Sequence, residues 1–215
     1  MGKEIKTREA RIRTASRHRR EQEKEELRQT ILKVAAILFL ERGYDRFSMR
    51  QLAEEIGYSA ATLYLYFRDK DELLFTVVDE SFARFEQQLA QAATLSADPW
   101  ERLAALAQAY VGFGLQNPVH YQLMFMWRTD FLTQVRPGEQ QPRLSALRVL
   151  QETIQFAMDE GVMEAGNAQS YSDVLWATMH GIVSLTISMP GFDNERIQQA
   201  TALAREMVFK AFRKG

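Results

Sequence analysis

The stretch YSAATLYLYF, residues 58–67, gathers hydroxyls on a segment without charge. Tyr58, Tyr64 and Tyr66 bring three phenols, Ser59 and Thr62 add aliphatic hydroxyls, and Ala60 and Ala61 contribute bare methyls. Neutral O–H groups suit phosphate oxygens, where they position a protein on a nucleic acid without reading its sequence. Small methyl-bearing residues suit base edges, because they allow close approach to the major groove and can meet the thymine methyl. The segment is too short to stand as a helix alone, since isolated helices below about 12–15 residues are marginal in water. Neighbouring elements must hold it.

Those elements are legible in SMRQLAEEIGYSAATLYLYF, residues 48–67. Ser48 and Ser59 can each cap a short helix. Gly57 supplies a left-handed turn residue between them at no steric cost. Ala53 is small where the two helices must cross, and Leu52, Ile56, Leu63 and Phe67 point to a common core. A small residue, a glycine four later and an aliphatic six beyond is the spacing of a helix-turn-helix, whose second helix enters the major groove. That helix then exposes Ala60, Ala61, Thr62, Tyr64 and Tyr66. The bland reading, tyrosines that only fill a helical core, fits one phenol better than three beside such a turn.

Residues 31–74 as a whole, ILKVAAILFLERGYDRFSMRQLAEEIGYSAATLYLYFRDKDELL, resemble the DNA-binding domain of the TetR family of bacterial repressors. The resemblance rests on Ala35, Phe39, Gly43, Tyr44 and Ser48 at spaced positions, on LAEEIG, and on the pattern S-x-x-T-L-Y-x-Y-F-x-x-K-x-x-L. It implies backbone contacts from Ser48, Arg50, Tyr64, Tyr66 and Lys70, and base-edge contacts from Arg50, Ala60, Ala61 and Thr62. Two alanines hydrogen-bond poorly, so such a protein would lean on methyl contacts, Arg50 and DNA shape. Lys70 also draws notice unaided. It stands in the first turn of the next helix, where the dipole disfavours a cation and a nearby phosphate would offset it. WATMHG, residues 176–181, resembles the Trp-x-x-x-His-Gly signature of one group of TetR C-terminal domains, and NPVHYQLMF resembles the segment that precedes it there.

The rest of the chain reads as helices. Leu27, Ile31, Val34 and Leu38 form one apolar face that should stop near Gly43. Asp69 can cap a helix carrying Leu74, Val78, Phe82, Phe85 and Leu89. Asp98-Pro99-Trp100-Glu101 is a start signal with a capping box, and Asn117-Pro118 repeats the device. Residues 133–142 read as a loop. Leu147, Leu150, Ile154 and Ala157 mark a further helix ending near Gly161. Two long helices, roughly 170–189 and 194–213, are separated by Pro190-Gly191. No period-2 strand is apparent, so the expected class is all-α, about nine helices, with no internal repeat. Three parts are expected: a basic arm, disordered or helical, at 1–23; the helix-turn-helix domain at 24–71; and a ligand-binding and dimerisation domain at 72–215.

Charge is uneven. The chain carries −1 overall, yet residues 1–20 hold eight Lys or Arg against Glu4 and Glu9. Such an arm suits phosphate contact, and equally a solvated tail. The C-terminal part is rich in Met and aromatics. These are usually core, but as a set they suit a mostly apolar cavity with a few polar groups. The expected lining is Tyr110, Phe113, Met124, Phe125, Trp127, Arg128, Phe131, Phe156, Trp176 and His180, and the expected ligand a small hydrophobic or aromatic effector. Gly181, inside a helix, suggests close approach of another helix or a ligand. Ile197, Ala200, Ala204, Met207, Val208 and Ala211 run at helical spacing and suit a homodimer through the last two helices.

Several classes are disfavoured. The chain has no cysteine, so disulfides and thiolate metal sites are out. His18, His120 and His180 lack ligand spacing, so no metal is expected, and no cofactor. There is no P-loop, no G-x-G-x-x-G and no nucleophile motif, which argues against an enzyme. Val174 to Pro190 is short and interrupted for a membrane span. With no secretory signal at the front, the expected location is cytoplasmic and nucleoid-associated. The leading expectation is a dimeric, ligand-released repressor on a palindromic DNA operator. The alternative is a DNA-binding regulator or architectural protein without a small ligand.

Overall fold

The computed structural model describes residues 2–127 and 142–214. Among them are nine α-helices: α1 (Gly2–Arg46), α2 (Met49–Glu55), α3 (Ala60–Tyr64), α4 (Lys70–Ala92), α5 (Pro99–Gln116), α6 (Pro118–Gln122), α7 (Pro142–Asp159), α8 (Ala168–Ser188) and α9 (Asn194–Phe212). A π-helical turn, Leu123–Trp127, continues α6. No strand occurs among the described residues; Met163 and Arg213 share an isolated bridge. The loop expected at 133–142 lies outside the described residues except for Pro142, which opens α7. The chain divides within α4 into two compact units, Met1–Val77 and Val78–Gly215.

In the first unit, the arm residues continue α1 without a break, so this is one helix up to a kink at Gly43 (φ 75°, ψ 165°). Arg17 and Arg19 lie 3.5 and 3.4 Å from Glu21 and Glu23, one helical turn on. The core is built by Ile31, Ala35 and Phe39 of α1, Leu52 and Ala53 of α2, Leu63 of α3, and Phe47, Phe67 and Leu74. Phe39 and Phe47 stack with centroids 3.9 Å apart.

In the second unit, α5 packs on α7 and α8, and α8 packs on α7 and α9. A side chain on Gly114 would collide with Val183, so that glycine permits the close crossing of α5 and α8. Gly181 is different from the expectation: a Cβ there would meet nothing within 4 Å. Two cap assignments also change. Asp98 accepts from Glu101 N as expected, at 2.9 Å, but the Glu101 carboxylate takes the Ser96 hydroxyl (2.5 Å), and Ser96 Oγ accepts from Asp98 N. The capping box is thus closed through a serine upstream of it. Asn117 makes no side-chain cap; its Nδ2 donates back to Phe113 O at 3.0 Å.

The apolar stripe of α9 spans more than one face. Ile197 is buried, and Ala204 and Val208 line with it a cleft against α5 and α8, whereas Leu203 and Met207 stand exposed. At about 100° per residue, 197, 204 and 208 align, 203 points well away from them, and 207 falls between the two directions.

Candidate nucleic-acid interface and ligand cavity

Two hydroxyls start the two short helices of the first unit. Ser48 Oγ accepts from Gln51 N (3.2 Å) and Ser59 Oγ from Thr62 N (3.1 Å), each satisfying one of the orphan N–H groups of a helix start. Gly57 has φ +76°, and Tyr58 N closes the turn onto Ala53 O at 2.9 Å. Leu63 and Phe67 anchor α3 inward. Ala61 and Tyr64 are left exposed, and Ala60, Thr62 and Tyr66 half-buried. Thr62 Oγ1 is 2.9 Å from Ser59 Oγ, and Tyr66 has Lys24 Nζ 5.9 Å from its ring centre. Leu65, which stands in neither the core set nor the exposed set expected from the sequence, is 79% exposed. Period alone would have flagged it: it lies two residues from each anchor, on the opposite side of the chain.

The two cations of the site differ. Arg50 is exposed, its Nε 3.0 Å from Glu54 Oε1, one turn along α2. Lys70 is not held by solvent alone. Its Nζ donates to Tyr44 O (3.2 Å) and lies 4.0 Å from the centre of the Tyr44 ring, while the Tyr44 hydroxyl bonds Asp71. A helix-end carbonyl and an aromatic face therefore offset the unfavourable dipole at the start of α4. Asp69 caps α4: the Glu72 N–H (2.8 Å) and then Arg68 hold its carboxyl below the usual carboxylate range.

The second unit encloses a small apolar cavity of about 120 Å³. Of the expected lining, Tyr110, Phe125 and Trp176 face it, joined by Phe82, Phe85 and Met179. Phe113 and Met124 are buried elsewhere in the core; Phe113 packs on Phe85 with centroids 4.9 Å apart. Phe156 lies under the Arg102 guanidinium at 4.3 Å, and Trp127 does not line the cavity. Arg128 and Phe131 lie outside the described residues. Met124, Phe125 and Trp127 lie in the π turn, and of the three only Phe125 faces the cavity.

His180 does not line the cavity itself; it touches the rings of Phe125 and Trp176, which do, and joins the wall through a chain of hydrogen bonds. Trp176 Nε1 donates to the Tyr110 oxygen (3.0 Å); Tyr110 and Tyr121 hydroxyls are 2.9 Å apart; the Tyr121 hydroxyl is 2.7 Å from His180 Nδ1; His180 Nε2 is 3.2 Å from Ser184 Oγ. Indole can only donate. The direction that leaves no phenolic hydrogen unpaired runs Trp176, Tyr110, Tyr121, His180, with the imidazole neutral and protonated on Nε2. Burial favours that state: it lowers the His180 pKa, pushes Tyr110 up to about 12 and raises Tyr121. Tyr121 is the residue sequence reading missed, although it stands four before Phe125 in the aromatic segment. His120 is separate, its Nδ1 2.9 Å from Ser81 Oγ, and its pKa is lowered by burial and by Arg84.

Residues 31–77 match the family model for bacterial regulatory proteins of the tetR family, and residues 103–210 match that for the tetracyclin repressor-like C-terminal domain. The chain belongs to the TetR family. Its members are transcriptional regulators that bind DNA and typically dimerise, with ligand binding in the C-terminal domain, and they are typically not enzymes. Solved structures agree on the fold. A protein of unknown function from Rhodococcus sp. RHA1 is 26% identical, with TM-score 0.71 over 87% of this chain and 96% of that one. A TetR family transcription regulator from Marinobacter aquaeolei VT8 is 18% identical, with TM-score 0.70 over 91% and 100%. The ketosteroid transcriptional regulator KstR2 of Mycobacterium tuberculosis is 17% identical, with TM-score 0.66 over 87% and 95%. Among the described residues of this TetR-family chain, no helix is long and apolar enough to cross a membrane, and no His, Asp or Glu cluster could hold a metal.

Proposed function

We propose that this TetR-family regulator is a homodimeric repressor that binds a palindromic operator through α3 and leaves it when a small, mostly apolar effector enters the second unit. The observation that carries the reading is the division of α3: Leu63 is spent inward, and Ala60, Ala61, Thr62 and Tyr64 remain at or near the surface. In this reading Tyr64, with Ser48, Tyr66 and Lys70, addresses phosphates, and Arg50 leaves Glu54 for a base edge. Dimerisation uses the outward face of α8 and α9. Val174, Leu185 and Met189 are exposed there, as are Leu203 and Met207. Gly181 lies on the same face of α8 with open space before it, which lets a second helix approach closely. A two-fold pair presents two reading helices to two half-sites.

The effector cavity is the one walled by Tyr110, Phe125 and Trp176, with the Tyr110 hydroxyl as its polar anchor. Release follows if the effector prefers a body conformation in which the reading heads no longer match the operator. A second reading, a DNA-binding regulator without a small ligand, is favoured by the cavity's size: about 120 Å³ is below the roughly 300–1,000 Å³ of typical ligand pockets. Selection of duplex DNA by the purified chain, followed by release assays with hydrophobic and aromatic compounds, separates the two. A palindromic consensus with release supports the repressor. A palindrome that no compound releases supports the second reading, and the absence of any preferred duplex rejects both.

A further inference from the structure

The basic residues at the start of α1 are sorted by face. At about 100° per residue, Lys3, Lys6, Arg13, Arg17, Arg20, Lys24 and Arg28 share the register of one strip roughly 100° wide, and Arg8, Arg11 and Arg19 fall outside it. Seven of the ten Lys and Arg in residues 1–28 therefore occupy about a quarter of the circumference. Of the six Glu in the same stretch, only Glu21 touches the strip, at its margin.

The strip also has a direction. It runs on in register into Ile31 and Ala35, which are fully buried, so it lies on the side of α1 that packs into the first unit. Lys24 Nζ is 5.9 Å from the centre of the Tyr66 ring, and the Arg28 guanidinium is 5.9 Å from that of Phe67, the two rings that follow α3. Upstream of that point, residues 14–26 are all exposed. A solvated helix with interspersed charges would account for the 3.4 Å pair of Arg19 with Glu23, one turn apart, but not for the sorting of cations to one side. A one-sided cationic strip fits a polyanion. A helix that lies on an anionic membrane needs an apolar face opposite its charges. No large apolar residue occurs from Arg13 to Glu26, and the register opposite the strip holds Glu23 and Glu26. Duplex DNA is the polyanion that remains.

We propose that the basic strip of α1 is a second nucleic-acid surface, which follows the phosphates of the duplex flanking the half-site of α3 and begins at Lys24 beside Tyr66. It adds affinity without reading sequence. Residues 2–23 extend about 33 Å along the helix axis, enough to follow roughly ten base pairs. The proposal rests on the reading of α3 as the DNA-facing helix.

The test is fluorescence anisotropy of the full chain on a labelled, mixed-sequence duplex of about 40 base pairs, titrated over a series of KCl concentrations to give the log–log salt slope. The variant Arg17→Gln/Arg20→Gln/Lys24→Gln removes three cations of the strip. It should make the slope shallower by about 2.7, three contacts at about 0.9 each, and leave the thermal melt unchanged, because all three residues are exposed. The variant Arg8→Gln/Arg11→Gln/Arg19→Gln removes the same charge from outside the strip and should change the slope by less than about 0.9. Equal slopes for the wild type and the strip variant overturn the proposal. So does an equal loss in both variants, which would make the arm a diffuse cation without a face. A strip variant that keeps its duplex slope but no longer binds phosphatidylglycerol vesicles bound by the wild type would assign the strip to a membrane instead. Failure of the α3 reading looks different: the wild type then binds no duplex even at low salt, and the strip falls with it, whereas failure of the strip alone leaves wild-type binding intact.

Discussion

The two units use hydroxyls in opposite ways. In the first, Ser48, Ser59 and Thr62 lie on helix starts near the surface, each bonded within three residues, and Tyr64 is exposed. In the second, Tyr110 and Tyr121 are buried and bonded to partners 11, 59 and 66 residues away. A surface hydroxyl with a local bond retains acceptor capacity for a phosphate or a base. A buried one depends on its pairing for stability, because an unpaired group there loses its hydration for nothing. Removing the same kind of group should therefore cost binding in one unit and stability in the other.

The largest effect is expected where the first unit is anchored. Leu63→Ala should lower stability by about 2–5 kcal/mol in urea unfolding and abolish duplex binding with it. Leu65→Ala, two residues on, should leave the urea midpoint nearly unchanged, because Leu65 is exposed; an equal loss from both would mean that α3 is packed the other way round. The glycines of the second unit make a matching pair. Gly114→Ala forces a methyl into Val183 and should cost about 1–3 kcal/mol. Gly181→Ala meets nothing within the chain and should stabilise the isolated subunit by up to about 1 kcal/mol, while weakening association in sedimentation if α8 is the dimer face.

Tyr121→Phe leaves both the Tyr110 hydroxyl hydrogen and His180 Nδ1 without partners, with an expected loss of about 1–3 kcal/mol in the melt. Tyr64→Phe, the same atom removed from the first unit, should leave the melt unchanged and weaken binding to every duplex alike. Thr62→Ala should instead alter the preferred sequence at one or two base pairs. If Tyr64→Phe destabilises as much as Tyr121→Phe, the contrast between the units fails.

The smallest effect is in pH. His120 and His180 have folded pKa values below the ordinary value of about 6.5 because burial disfavours their charge. Below that value the unfolded chain binds more protons than the folded one, so stability falls as pH falls through it and is recovered as pH rises above it. Urea midpoints at pH 7 and pH 5 should differ in that direction. The His120→Gln/His180→Gln double variant should show a shallower dependence; an unchanged slope would mean that neither imidazole is held neutral.

How much was legible follows the range of each interaction. The α3 anchors, the serine caps, the turn at Gly57 and the Asp98 cap depend on neighbours within a few residues, and spacing alone states them. The all-α class and the nine helices follow from the same short-range periodicity. Tertiary packing decided what depends on a distant partner. Gly114 and Gly181 are equally helical, and only the position of Val183 says which one is indispensable. That Tyr44, 26 residues earlier, offers Lys70 a carbonyl and a ring face is likewise set by the fold and not by spacing. The stripe on α9 could not be divided into inner and outer faces without α5 and α8. Tyr121 acquired its place from residues 11 and 59 positions away. Residue types and spacing determine which helices form and which face of each is apolar; which atoms those faces meet is set by segments far along the chain, because packing joins residues that no local pattern relates.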